Sequence, residues 1–274
     1  MKRKIGRGII YCLAIFWGIM TILPLFITFI CSVKDNVGIN LSMLSLPKKW
    51  LWSNYVDAFQ VAHIGKAVLN SIFLGISTTL LVSVVALLAA YILSRKRFRL
   101  RSAISTLFIV GVMVPVHCTI IPISNLAVTL HGKNTMWMLI LIYTAFNLAQ
   151  AIFLFTGYMN GIDRELDEAA IMDGCNDFQV LFQVLMPVCM PIISTEAILA
   201  FISAYGELIF SMTLLSDPKK YTASRAMLVF SSGHDQLLGP IFASVIVVVL
   251  PMLILYTIFH EKVQAGMMTG AVKG

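Results

Sequence analysis

AVLNSIFLGISTTLLVSVVALLAAYILS, residues 67–94, contains no Asp, Glu, Lys or Arg, and RKRFRLR, residues 95–101, follows it at once. An α-helix rises about 1.5 Å per residue, so roughly 20 apolar residues cross a hydrocarbon core of about 30 Å. The first stretch is long enough to cross, and the second is the kind of basic cluster that stays on the cytoplasmic side. A buried helix of a soluble bundle would show charged residues on one face at helical spacing, and this run has none. The stretch reads as a transmembrane helix whose C-terminal end lies inside.

The same pattern recurs outward from it. Uncharged runs cover residues 8–33, 102–132, 134–162 and 236–260, and residues 178–215 are apolar apart from Glu196 and Glu207. With that last stretch read as the fifth span, beginning near Val184, six spans result. The composition agrees: 59% of the residues are hydrophobic and 12% charged, against about a quarter charged in a soluble domain. Lys2, Arg3, Lys4 and Arg7 precede the first span, which predicts a cytoplasmic N-terminus and, after six spans, a cytoplasmic C-terminus. Lys34, Lys48, Lys49 and Lys66 are thinly spread over the external loop 34–66 and do not outweigh the compact clusters. Loops 126–135 and 210–239 are then external, with turn formers such as Gly132, Pro218 and Gly233, while 95–101, 159–183 and the tail from Glu261 are internal. The net charge of +7 reports topology and contact with inner-leaflet lipid, not nucleic acid. The basic-then-apolar start is like a secretory signal, but its long apolar core and lack of a small-residue cleavage site point to an anchor span. Cys12, Cys31, Cys118, Cys175 and Cys189 show neither paired nor metal-ligand spacing.

One internal loop differs in kind. Asp163, Glu165, Asp167, Glu168, Asp173 and Asp177 gather nearly half of the chain's 13 acidic residues, with Arg164 alone among them. The pattern predicts two short helices. Asp163 is placed to cap the first, with Glu165 and Asp167 in its first turn facing the positive helix end. Leu166, Ala169, Ala170 and Met172 form an apolar side, and Gly174 is placed to end the helix in the left-handed conformation. Asn176 or Asp177 can cap a second helix carrying Phe178, Leu181 and Phe182, with Pro187 opening the next span. Such a hairpin is either a docking surface for another protein or a cap packed on its own bundle, and the residues alone leave both open.

Glu168-Ala169-Ala170-Ile171-Met172-Asp173-Gly174, followed by Leu185-Met186-Pro187, resembles the EAA loop of binding-protein-dependent ABC importer permeases. Asn70-Ser71 opening the second span, Ala89-Ala90-Tyr91 with Arg95 closing it, and Pro115 with Pro122 in the third resemble the sugar-type branch. The ending from Gly266 to Gly274 resembles that of the smaller, maltose-permease-like subunit. Two departures are Asp163 where the family usually has Pro, and Tyr205-Gly206-Glu207 where it tends to Trp-Asn-Glu.

The resemblance implies an all-α integral membrane protein of six transmembrane helices in the type I ABC importer permease fold, with a cytoplasmic EAA coupling hairpin. It implies a tail, first helix and external loop over residues 1–68, a five-helix ABC transmembrane type-1 domain over 69–260 with its EAA loop at 163–187, and a cytoplasmic tail over 261–274. Glu168, Ala169, Ala170, Asp173, Gly174 and Phe178 would couple the chain to a separate ATPase. The implied partners are a second permease, two ATPase subunits carrying ATP and Mg, and an extracytoplasmic solute-binding protein, at the plasma membrane of a prokaryote. The chain has no G-x-x-x-x-G-K-[ST] stretch with which to cradle ATP, so it is not expected to be an enzyme or to hold a cofactor itself.

Polar residues within spans are the candidates for the substrate path. A charged side chain at the bilayer centre costs about 2.5–3.5 kcal/mol on insertion scales, so Glu196 and Glu207 should face protein or a water cavity. Their spacing puts them on nearly one helical face, with Ala200 and Ser203 between them. Tyr143, Asn147 and Gln150 form a second polar stripe, in the fourth span. The first stripe could line the translocation path and the second suits sugar recognition, although polar side chains in spans more often hydrogen-bond neighbouring helices. His117 reads as a packing histidine. Two other functions share some of these features. An importer of the same architecture for a non-sugar solute shares the loop, although the tail and second-span motif favour sugars. An ion-coupled secondary transporter using Glu196, Glu207 and His117 would need an internal duplication, and the sequence shows none.

Overall fold

The computed structural model describes residues 2–231 and 236–271, so Gly233 and the last three residues of the expected tail lie outside the described residues. Among the described residues every regular element is helical. Among the described residues five helices are long and apolar enough to cross a membrane: Ile10–Ser32 in α1 (Lys2–Ser32), α4 (Ile64–Arg95), α7 (Met136–Asn160), Asp177–Gly206, and Leu238–Phe259 in α13 (Leu238–Ala271). The remaining span, third in chain order, is a bent pair, and the expected six are complete only with it.

In this span α5 (Arg101–Met113) and the segment Val116–Thr129, a 3₁₀ turn leading into α6 (Ile120–Thr129), meet at 94°. Pro115 brings no N–H and pushes its predecessor out of the helical region, and Val114 accordingly sits at φ −72°, ψ 121°. One departure from expectation is at the fifth span, which begins at Asp177 rather than near Val184. Short α9 (Asp177–Gln179) runs through a π-helical turn, Val180–Leu185, into α10 (Met186–Gly206) without a break. Beyond the sixth span α13 continues to Ala271, so residues 261–271 of the expected tail are helical.

The chain forms two compact units. One comprises residues 67–223 and 252–274. Its core has two parts along α4, α7 and α10. At one end Val82, Ala86, Ala90, Ala151, Phe155, Met159, Leu181, Leu185 and Cys189 pack together. At the other, Leu74, Leu139, Tyr143 and Ala204 meet Phe210 and Leu214 of α11 (Ile209–Leu214). Lipid tails are as apolar as these side chains, so close packing through small residues has to hold the helices together, and the alanines on all three helices allow it. Asn70 and Ser71 hold the loop before residue 224 to α4: Asn70 Nδ2 donates to the Lys219 and Tyr221 carbonyls, and Ser71 Oγ accepts from Ala223 N.

The other unit comprises residues 1–66 and 224–251. Here α2 (Asn36–Leu41) and α3 (Ser53–Gln60) are tied to the end of α1. Asn54 Nδ2 donates to the carbonyls of Ser32 and Lys34, both at 2.9 Å, and Leu51 N donates to Val33 O at 2.8 Å. Gly239 allows this approach, because a Cβ there would lie 2.5 Å from Asn54 Nδ2 and 2.6 Å from the Lys34 carbonyl. Backbone cannot move aside as a flexible side chain can. Gly239→Ala is therefore expected to cost about 1–3 kcal/mol, read as a lower melting temperature of the solubilised chain, and an unchanged melting temperature would show that this junction is loose.

Candidate functional site

α8, Glu165–Met172, and the helix that starts at Asp177 form a hairpin held against the end of α4. Its corner is set by two local devices. Gly174 adopts φ +88°, with Gly174 N donating to Ile171 O and Cys175 N to Ala170 O, both at 3.0 Å. These bonds close the open end of α8. No heavy atom lies within 4 Å of where a Gly174 Cβ would stand, so the demand for glycine is torsional rather than steric. Asn176 then makes a capping box: its Oδ1 accepts from Gln179 N at 3.0 Å, and Gln179 Oε1 accepts from Asn176 N at 2.8 Å.

Asp163 does not cap α8. The cap position is taken by Arg164 in helical conformation, without a side-chain bond, and Asp163 offers only its carbonyl to Leu166 N. Arg164 is engaged elsewhere, its Nη2 donating to the Ser94 carbonyl at 3.3 Å, and this draws the start of the helix toward α4.

The inward face of α8 is Asp167 and Ala170, one turn apart. Arg95 Nε lies 2.6 Å from Asp167 Oδ2, and the two side chains are only 6% and 12% exposed. Arg95 Nη2 also donates to the Ile162 carbonyl at 3.1 Å, so one guanidinium ties α4 to both ends of the link into α8. Burial pushes the Asp167 carboxyl above its ordinary range, against the lowering pull of Arg95 and Arg164. Desolvation thus outweighs the attraction, as is usual for a buried ion pair. A second, more exposed clamp joins α4 to the other arm. Asp177 Oδ1 accepts from Tyr91 OH at 3.1 Å and lies 2.6 Å from Lys96 Nζ, which sits over the Tyr91 ring.

The outward face is apolar and uncovered. Leu166, Ala169 and Ile171 are exposed, Met172 is 86% exposed, and Phe178, stacked on Phe182 at 6.0 Å, is 68% exposed. Glu168, Asp173 and Gly174 are also at the surface, whereas Ala170 is buried. Beside Phe178 a cavity of about 360 Å³ is lined by Tyr91, Ile92, Lys96, Asp177 and Leu181. The hairpin is therefore fastened by one face and presents the other.

The polar residues of the spans separate into two groups. Glu207 lies past the end of α10, in extended conformation, so it does not continue the helical face of Glu196. Its carboxylate accepts from Tyr143 OH at 2.6 Å and from the N–H groups of Phe210 and Ser211, which caps α11 and joins it to α7. Glu196 is 1% exposed. Its polar neighbour is Gln150. Asn147 donates to the Tyr143 carbonyl and is half-buried, while Gln150 and Ser203 are exposed. His117 lies in the turn at the bend and is exposed, so it is not packed within this chain as its sequence context suggested. Sequence reasoning did not single out the pairing of Arg95 with Asp167 or of Asp177 with Lys96 and Tyr91. The signal was present as a basic cluster and an acidic cluster on the same side of the membrane.

The chain matches the family described as "Binding-protein-dependent transport system inner membrane component" over residues 82–268. It is 30% identical to the diacetylchitobiose uptake system permease protein of Streptomyces coelicolor, over 97% of this chain and 89% of that one. It is 29% identical to the trehalose transport system permease protein of Mycobacterium tuberculosis, over 95% and 98% of the two chains. To the maltodextrin transport system permease protein of Streptococcus pneumoniae it is 26% identical, over 100% and 98%. Its fold is similar to that in the crystal structure of a bacterial ABC transporter involved in the import of the acidic polysaccharide alginate. The TM-score is 0.79 at 20% identity, covering 93% of this chain and 95% of that one.

The buried pair makes a specific prediction about the hairpin. Arg95→Ala strands a buried carboxylate and is expected to cost about 3–5 kcal/mol, read as faster hydrogen exchange across residues 165–172. Removing both charges, as Arg95→Met with Asp167→Leu, should cost less than Arg95→Ala alone. A double variant as damaged as the single would mean that the two side chains are not energetically coupled.

Proposed function

The chain belongs to the binding-protein-dependent transport system inner membrane components, and we propose that it is a permease subunit of an ATP-driven importer carrying a sugar or oligosaccharide across the cytoplasmic membrane. The observation that supports this most directly is the hairpin, clamped to α4 by its charged face and presenting Ile171, Met172 and Phe178 outward. Exposed apolar side chains on a rigid mount form a contact surface for a second protein. A partner ATPase is that protein, and ATP and Mg bind there. The saccharides in the names of the three relatives favour a carbohydrate as the cargo.

In this reading Glu168, Ala169, Asp173, Gly174 and Phe178 meet the ATPase, and Ala170 seats the hairpin on its own bundle. Closure of the ATPase moves α8, and Arg95 and Asp177 pass the movement to α4 and α10. Asn147, Gln150 and Ser203 are the path candidates with free surface. Tyr143 and Glu207 hold the geometry around them, and Glu196 is buried beside Gln150. A second permease completes the pathway, a solute-binding protein delivers the sugar from outside, and both termini lie in the cytoplasm, following the basic clusters at residues 2–7 and 95–101.

ATP-driven uptake of a labelled oligosaccharide into proteoliposomes holding the assembled complex tests the reading, and uptake that follows a pH gradient without ATP would overturn it. Met172→Ala and Phe178→Ala should each weaken ATPase association by about 1.5–3 kcal/mol, roughly ten- to hundredfold in dissociation constant. Gly174→Leu should insert normally yet lose substrate-stimulated hydrolysis, because its φ of +88° resists a branched side chain. Undiminished stimulation in that variant would remove the hairpin from the coupling role.

A further inference from the structure

The segment between α1 and α4 is unusually apolar for a connection outside the spans. Val37, Met43, Leu44, Leu46, Trp50, Trp52, Val56, Phe59 and Val61 are all exposed, and Leu41 is 80% exposed. Trp50 stacks on Trp52, with ring centroids 6.2 Å apart, and Tyr55 adjoins at 5.9 Å. Lys48 and Lys49 lie in the same stretch and are exposed.

Hydrogen bonds fix where this shelf lies. Lys34, buried at the end of α1, donates through Nζ to the Ser42 carbonyl at 2.9 Å and Ser45 Oγ at 3.0 Å. Leu51, between the two tryptophans, donates its N–H to Val33 O. Asn36 Nδ2 donates to Gln236 O at 2.6 Å, and Asn36 Oδ1 accepts from Leu238 N at 2.9 Å, at the start of α13. Residues 36, 42, 45 and 51 are thus each one bond from the end of a helix apolar enough to cross the membrane. The shelf cannot rise far from the boundary where α1 and α13 leave the hydrocarbon.

We propose that residues 37–61 lie in the membrane–water interface, with Leu41, Leu44, Trp50 and Trp52 among the lipid headgroups and glycerols and Lys48 and Lys49 at their phosphates. Indole rings prefer this depth because one edge is apolar and the N–H finds water or a carbonyl. Lysine stems lie along apolar surface with the ammonium at the phosphate level. A soluble protein that docks and leaves in each cycle would expose this surface to water between visits, whereas lipid covers it throughout. The proposal goes beyond the transport reading. It needs only the membrane spans, so it stands or falls apart from cargo and coupling.

The test uses the full chain in nanodiscs of phosphatidylcholine and phosphatidylglycerol. In the variant Trp17→Phe, Trp137→Phe only Trp50 and Trp52 emit. Their emission should be blue-shifted, and quenched more by lipids brominated near the headgroup than by lipids brominated near the chain end. Helix content of the variant is checked by circular dichroism. Lys48→Glu with Lys49→Glu should reduce the preference for phosphatidylglycerol. Emission of a water-exposed indole without quenching, or a blue shift seen only when a second protein is added, would overturn the proposal.

Discussion

Arg95 and Asp167 meet where neither can reach much water, and the position of the hairpin depends on that meeting. α8 is eight residues long, too short to be stable by itself in water. It also buries little apolar surface, because its inner face is one alanine and one aspartate. A charge pair in such a place adds little net stability, since desolvation cancels most of the attraction. It adds selectivity instead. Any arrangement that separates the two leaves an unpaired buried charge, so alternative seatings of the hairpin are costly even though the chosen one is only modestly favourable. Arg164 and Tyr91 extend the same logic, anchoring the corner to α4 through one carbonyl and one carboxylate.

What was legible in the sequence follows from what lipid demands. Hydrocarbon supplies no hydrogen bonds, so each peptide group must find its partner within a helix, and long uncharged runs are enough to locate spans. Caps and the glycine stop are local chemistry, and Gly174 and Asn176 do what their types foretell. Less legible was anything decided between segments. Asp163 looked like a cap by position, but Arg164 is drawn to α4. Glu196 and Glu207 looked like one stripe because the period of an uninterrupted helix was assumed, and α10 ends at Gly206. The Arg95–Asp167 pair spans more than seventy positions, and a basic cluster explained by topology concealed its second role.

The spans keep their polar groups in three distinct conditions. Glu207 is fully engaged, tying α7 to the start of α11. Glu196 is sealed in with Gln150 beside it, a costly arrangement in a low dielectric medium. Gln150 and Ser203 retain open surface although they lie in the membrane-spanning helices. Only this third condition leaves a side chain free to meet a solute.

The bend at Pro115 bears on how the chain is made. Of the two arms, α5 has 13 residues, about 20 Å of helix, short of the roughly 30 Å needed to cross. Yet residues 102–132 present one continuous uncharged run as they leave the ribosome. α5 packs on α7, which is synthesised later, so the surface that supports the bent form does not exist when the run first meets the membrane. The bent form therefore gains this support only once α7 has been made.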